Sequence, residues 1–130
     1  MMACLYVFIG GGLGALFRYG LTSMVGTCGG MLFPMATLVV NAVSCFFMGL
    51  VMGLLLPLAK SLHLIPESLR LLLTVGFLGG FSTLAAVSLE TLMLFKNGSN
   101  LLAFLNIMGT MAVAMLTVWA GWQLAAFFQR

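Results

Sequence analysis

The stretch GFLGGFSTLAAVSLE, residues 76–90, decides the fold because it combines glycines, hydroxyl residues and a carboxylate within an apolar run. Hydrophobic residues make up 63% of the chain, charged residues make up 5%, and the mean hydropathy is +1.24. A chain of 130 residues with this composition cannot cover its apolar surface with water-facing groups. The sequence therefore predicts an integral membrane protein in which residues 76–90 lie within the bilayer.

Predicted membrane helices account for nearly the whole chain. Their approximate ranges are 4–25, 33–57, 68–96 and 100–128, separated by segments rich in Gly, Pro, Asn and Ser. We predict an all-α fold with a single four-helix membrane domain over 1–130, and we expect the first helix to be retained because it lacks the basic region of a signal peptide. The sequence holds no P-loop and no metal-ligand or catalytic cluster, which argues against an ATP-driven pump or an intramembrane enzyme. We expect the lipid bilayer, and no nucleic acid, as a partner.

The third predicted helix is too long for a straight crossing. Residues 68–96 would extend roughly 43 Å as a helix, against a hydrocarbon core of roughly 30 Å. A break near the middle would absorb the excess, and the residues that tolerate one are Gly76, Gly79, Gly80, Ser82 and Thr83. Non-helical backbone at membrane depth must be buried in protein or line a wet cavity, where freed carbonyls can coordinate a cation. The alternative is an intact helix whose glycines allow another helix to pack closely against it.

Other polar residues within the predicted spans each allow two interpretations. The Asn41 amide can donate to an anion or hydrogen-bond to another helix. Asn106 and Thr110 are four residues apart and share a helix face, which suits either a polar pathway or contact between helices. Arg18 lies roughly 21 Å into the first span. Its side chain can snorkel to the interface or attract anions into a vestibule.

The charges give a weak preference for one orientation. Four spans place both termini on the side that holds Lys60, Arg70 and Arg130, whereas the other side holds Lys96, and also Arg18 if its side chain snorkels that way. Such a chain can insert both ways, and two opposed copies would form an antiparallel dimer. A second subunit would also help to enclose a polar pathway. The small-residue motifs that permit close helix contact, within or between subunits, are GGGLGA (10–15) and Gly49-x-x-x-Gly53.

Motifs in all four spans resemble a known family. IGGGLGALFRY (9–19), TLVVNAVSCFFMG (37–49), GFLGGFST (76–83) with Ser88-x-Glu90, and NIMGT (106–110) resemble the successive span signatures of the Fluc/CrcB fluoride channel family. The resemblance implies a dual-topology antiparallel dimer in the bacterial inner membrane. Two pores at the dimer interface would export fluoride passively and lower its toxicity. The resemblance also implies a structural Na⁺ that is bound by the backbone carbonyls of Gly79 and Ser82 of each subunit. The residues that it places along the fluoride pathway are Asn41, Ser82, Thr83, Thr110, Asn106 and Arg18.

The chain departs from the family pattern after the double glycine. Family members typically carry T-T-F-S-T-F there, whereas this chain has STLAAV, so Leu84 and Val87 replace two phenylalanines whose weakly positive edges can face an anion. Ser44 also stands where a glycine is usual. The pores could work without the phenylalanines, the chain could conduct poorly, or it could be the partner subunit of a homologous sister chain in a heteromeric channel. A small multidrug-type secondary transporter is a further alternative, although its first-span glutamate is absent here.

Overall fold

The computed structural model describes residues 2–27, 34–62 and 66–129, and within these ranges the regular structure is entirely helical. The first two helices are α1 (Met2–Thr27) and α2 (Met35–Leu62). The third span consists of α3 (Glu67–Arg70), a π-helical segment (Leu71–Leu78), α4 (Gly79–Phe81) and α5 (Leu84–Lys96). The last helix is α6 (Asn100–Phe128). The predicted all-α fold is confirmed. Arg130, one of the charges behind the predicted orientation, lies outside the described residues.

Helical stretches long and apolar enough to cross a membrane occupy residues 2–25, 35–57, 67–96 and 100–128. These ranges agree closely with the predicted spans. The difference is that α2 continues past the predicted end at Pro57 and stops at Leu62. Pro57 therefore lies inside the helix, where it removes one backbone hydrogen bond without ending the helical path.

The third span is broken between α4 and α5, as predicted. Ser82 has φ −81° and ψ 151°, and Thr83 has φ −149° and ψ 119°, so both residues are extended. The Thr83 hydroxyl accepts a hydrogen bond from the backbone N–H of Ala86 at 3.5 Å, which caps the start of α5. The break therefore separates two helical halves and starts the second half with a side-chain cap.

Helix α1 packs closely against the first half of the third span. A Cβ added at Gly10 would lie 2.4 Å from the Leu72 carbonyl oxygen, and one added at Gly14 would lie 2.1 Å from the Phe77 carbonyl oxygen. Only glycine permits these backbone approaches. Phe17 of α1 contacts Phe77 and Phe81 with ring centroids 5.9 Å apart in each pair. The GGGLGA motif therefore makes contacts within the subunit.

Helices α2 and α6 form a second close pair. A Cβ at Gly49 would lie 2.0 Å from the Val118 carbonyl oxygen, and one at Gly121 would lie 2.1 Å from the Phe46 carbonyl oxygen. Helix α5 packs against α6 beside this pair. The Gly49-x-x-x-Gly53 motif thus also acts inside the subunit, and the packing brings the polar residues of α2 next to the break.

Candidate functional site

Asn41 of α2 accepts one of the backbone hydrogen bonds that the break leaves without a helical partner. Its Oδ1 atom accepts a hydrogen bond from the Thr83 N–H at 3.1 Å. In a continuous helix this N–H would donate to the carbonyl of Gly79. Because the amide oxygen faces the N–H, the NH₂ group of Asn41 is directed elsewhere, and no described residue accepts a hydrogen bond from it. Asn41 is therefore a buried cap with an unused pair of donors.

The break also releases the two carbonyls that the family resemblance assigns to a cation. The helical donor for the Gly79 carbonyl would be the Thr83 N–H, which binds Asn41 instead. The helical donor for the Ser82 carbonyl would be the Ala86 N–H, which binds the Thr83 hydroxyl. Gly79 is exposed on the surface of the subunit. Carbonyl oxygens are hard ligands that suit Na⁺, so this donor set fits the ion.

A buried polar stripe on α2 flanks Asn41. Thr37, Asn41 and Ser44 follow the spacing of one helix face, and all three are buried. The Ser44 hydroxyl donates to the Asn41 carbonyl at 2.9 Å, so the serine at the usual glycine position satisfies its own polar group. The Thr37 hydroxyl donates to the Glu90 carboxylate of α5. The stripe therefore joins α2 to the third span at two levels.

A groove runs between α5 and α6. Its lining includes Leu84, Val87, Ser88, Thr91, Ile107 and Thr110. Leu84 is 67% exposed, Val87 is 5% exposed, and Thr110 is 7% exposed. The buried Thr110 hydroxyl has no hydrogen-bond partner among the described residues. An unpaired buried hydroxyl is costly, so it is a candidate for contact with a ligand.

Asn106 lies one turn before Thr110 but has a different environment. Its Nδ2 atom donates to the Thr91 hydroxyl at 3.0 Å, and that hydroxyl donates to the Val87 carbonyl at 2.7 Å. Asn106 is almost completely buried. Asn106 thus ties α6 to α5, which is the helix–helix contact that sequence reasoning left open for it. Its predicted place along an ion pathway stays a prediction.

A second surface cleft lies on another face of α5. Its lining includes Arg18, Tyr19, Thr22, Thr37, Thr83 and Glu90. The salt bridge among the described residues joins Arg70 to Glu67, so Arg18 is not paired with Glu90. One oxygen of the Glu90 carboxylate accepts from Thr37, and the other is buried without a partner in the described structure. The cleft therefore presents an unpaired guanidinium close to the broken backbone.

The predicted site residues fall into these neighbouring regions. Leu84, Val87 and Thr110 share the α5–α6 groove, whereas Arg18 and Thr83 share the cleft beside α1. Sequence reasoning did not assign Thr37 and Thr91 to the site. Their positions in the sequence point to the same helix faces as the predicted site residues. Thr37 lies one helical turn before Asn41, and Thr91 lies one turn after Val87.

Comparison with known proteins identifies the family. Residues 5–122 match the family described as CrcB-like protein, Camphor Resistance (CrcB). The chain is 37% identical over 121 residues to the fluoride-specific ion channel FluC of Geobacter sp. strain M21, covering 93% of this chain and 94% of the relative. It is 38% identical over 124 residues to the fluoride-specific ion channel FluC of Shewanella sp. strain W3-18-1, covering 95% and 96% respectively. The chain therefore belongs to the CrcB-like protein family.

Proposed function

We propose that this chain is a fluoride-selective passive ion channel that exports fluoride from the cytoplasm of a bacterium across the inner membrane. The observation that best supports this proposal is the break at Ser82–Thr83 inside a membrane span. Beside the break lies the Asn41 amide, whose NH₂ group has no acceptor among the described residues. Backbone irregularity at this depth is tolerated where it lines a cavity or is buried in protein. The relatives named as fluoride-specific ion channels support the choice of ion, and a channel role assigns no enzymatic chemistry to the chain.

Fluoride is a strongly hydrated anion, so a pore must replace its water with hydrogen-bond donors. The structure offers such donors in the Asn41 amide, the Thr83 hydroxyl and the unpaired Thr110 hydroxyl. Ser82 lies at the break between them. Arg18 supplies a positive charge in the adjacent cleft, where it attracts anions without binding them deep in the pore.

A passive pore is sufficient for export. Hydrogen fluoride enters cells as a neutral acid and dissociates near neutral pH, and the trapped anion then leaves down the membrane potential. The chain needs no energy-coupling site for this process. The transporter alternative is not favoured, because the relatives are named as channels and α1 contains no acidic residue.

We further propose an antiparallel dual-topology dimer with two pores at its interface. One subunit leaves the carbonyls of Gly79 and Ser82 without their helical donors, and Gly79 is exposed on the subunit surface. In a bilayer these groups need a partner. A two-fold arrangement would bring the carbonyls of both subunits around one Na⁺, whose charge would stabilise the paired breaks. The α5–α6 groove would then face the second subunit.

Leu84 and Val87 raise the question of which second subunit completes the pore. Both line the α5–α6 groove with Thr110 and offer no aromatic edge. A homodimer would carry fluoride on hydroxyl and amide donors alone. A heterodimer with a homologous sister chain would gain phenylalanines from that chain.

Fluoride efflux from liposomes tests the proposal. The chain is reconstituted alone and together with a homologous chain that carries the phenylalanines, and released fluoride is followed with an ion-selective electrode. Rapid fluoride release by the chain alone supports a homodimeric channel, and release only with the second chain supports a heteromeric one. Absence of fluoride release in both preparations, with folded protein recovered from the liposomes, contradicts the proposed function.

A further inference from the structure

Pro57 leaves one carbonyl of α2 without its helical donor. Helix α2 runs from Met35 to Leu62 with Pro57 inside it. Proline has no backbone N–H, so the carbonyl of Gly53, four residues earlier, loses its hydrogen bond. Gly53 is buried and lies within the stretch long and apolar enough to cross the membrane. A freed carbonyl in such a place needs a donor from another part of the protein.

The side chain of Gln129 supplies that donor from the other end of the chain. Its Nε2 atom donates to the Gly53 carbonyl at 2.8 Å, across a sequence separation of 76 residues. Gln129 directly follows the end of α6 at Phe128. The Gly53 carbonyl therefore accepts a hydrogen bond from a side chain outside α2, at the C-terminal end of α6.

Close packing of α2 and α6 explains why Gln129 reaches this carbonyl. A Cβ added at Gly53 would lie 2.6 Å from the Cβ of Ala125, which is itself fully buried. Gln129 caps the C-terminus of α6 four residues after Ala125, so it lies on the same side as Ala125. The small residues at Gly53 and Ala125 bring the helices together, and the next turn places the amide over the freed carbonyl.

We propose that Gln129 is a latch that substitutes for the backbone donor missing at Pro57 and holds the end of α6 against α2. Helix α2 carries Asn41 and α6 carries Thr110, so the latch fixes the relative register of the two helices that bear these donors. Its role is to stabilise the helix pair, and it is independent of the ion that the protein conducts. The expected signature is an effect of Gln129 that depends on Pro57.

A double-mutant cycle tests this dependence. The folded-to-unfolded ratio of the full chain is measured in mixed micelles during titration with SDS, with tryptophan fluorescence as the signal. In the native background Gln129→Ala should lower the ratio about threefold to tenfold, the range expected for a hydrogen bond between membrane helices. In the Pro57→Ala background residue 57 has an N–H for the Gly53 carbonyl, so Gln129→Ala should change the ratio less than about twofold.

A matched control is available on the same helix. Gln123 is exposed on α6 and has no hydrogen bond among the described residues, so Gln123→Ala should leave the ratio within about twofold in both backgrounds. Equal losses from Gln129→Ala in both backgrounds, no loss in the native background, or an equal loss from Gln123→Ala would each overturn the proposal.

A second variant keeps the test decisive if Pro57→Ala fails to fold. Gln129→Glu keeps the shape of the side chain but replaces the donor NH₂ by oxygen. It should therefore lower the ratio in the native background at least as much as Gln129→Ala does. Native stability in Gln129→Glu would show that the donated hydrogen bond is not what holds the two helices.

Discussion

Asn41→Asp separates the two roles that the structure gives to this side chain. Asn41 accepts a hydrogen bond from the Thr83 N–H through Oδ1, and its NH₂ group is the proposed donor to fluoride. An aspartate retains an acceptor for Thr83 but places a second oxygen where the amide donor was. The substitution should therefore preserve the break in the third span and act on the anion.

The size of the effect follows from the charge that is introduced. Two unit charges about 4 Å apart repel by about 4 kcal/mol at an effective dielectric constant of about 20. Each 1.36 kcal/mol corresponds to a tenfold change in rate, so fluoride flux should fall by about a thousandfold. Asn41→Ala differs because it leaves the Thr83 N–H without its acceptor, which costs about 1–3 kcal/mol of folding free energy.

The assay is fluoride efflux from liposomes that contain equal amounts of native protein or variant. Thermal unfolding in detergent provides the control for folding. Asn41→Ala should unfold earlier than the native protein, and flux is compared only for Asn41→Asp protein that still unfolds cooperatively. Flux in Asn41→Asp within about threefold of the native rate, with the folded protein intact, would refute the placement of Asn41 beside the ion.

Other predictions concern the groove and the carbonyl site. Thr110→Val should reduce fluoride flux about tenfold, because it removes an unpaired buried donor. Thr117→Val is its control on the same helix, since the Thr117 hydroxyl already donates to the Val113 and Ala114 carbonyls, and equal losses would contradict a special role for Thr110. The double substitution Leu84→Phe with Val87→Phe should raise fluoride flux through the homodimer several-fold in the same assay, because it restores the aromatic edges, unless overpacking costs more than they return. A lower fluoride flux with unchanged thermal stability would show that the pore does not pass these positions. Ser82→Ala should shift the Na⁺ concentration for half-maximal thermal stabilisation less than about threefold, whereas a large shift would make the hydroxyl the ligand.

The sequence was sufficient for the spans and for the break. Long apolar runs identify membrane helices regardless of tertiary contacts. The excess length of the third span, with its glycines and hydroxyls, predicts a break within residues 76–83, and the structure places it at Ser82–Thr83. The end of α2 was less predictable. Pro57 is a helix breaker by local rules, but α2 continues to Leu62, and the Gly53 carbonyl accepts a hydrogen bond from the distant side chain of Gln129.

The partners of individual polar groups required the structure. Sequence spacing puts Thr37 and Asn41 on one face of α2, but the rotation and register of α2 against the third span decide that one meets Glu90 and the other meets the Thr83 N–H. The same holds for the neighbours Asn106 and Thr110, since one is bonded to Thr91 and the other has no partner among the described residues.

The most direct test of the central claim is electrogenic fluoride efflux from liposomes loaded with potassium fluoride and potassium chloride near neutral pH. A passive fluoride channel should release little fluoride until valinomycin allows potassium to follow, and it should then release fluoride while chloride stays inside. The release should not change when an uncoupler removes the proton gradient. Efflux without valinomycin, dependence on a proton gradient, or equal release of chloride would contradict a fluoride-selective passive pore.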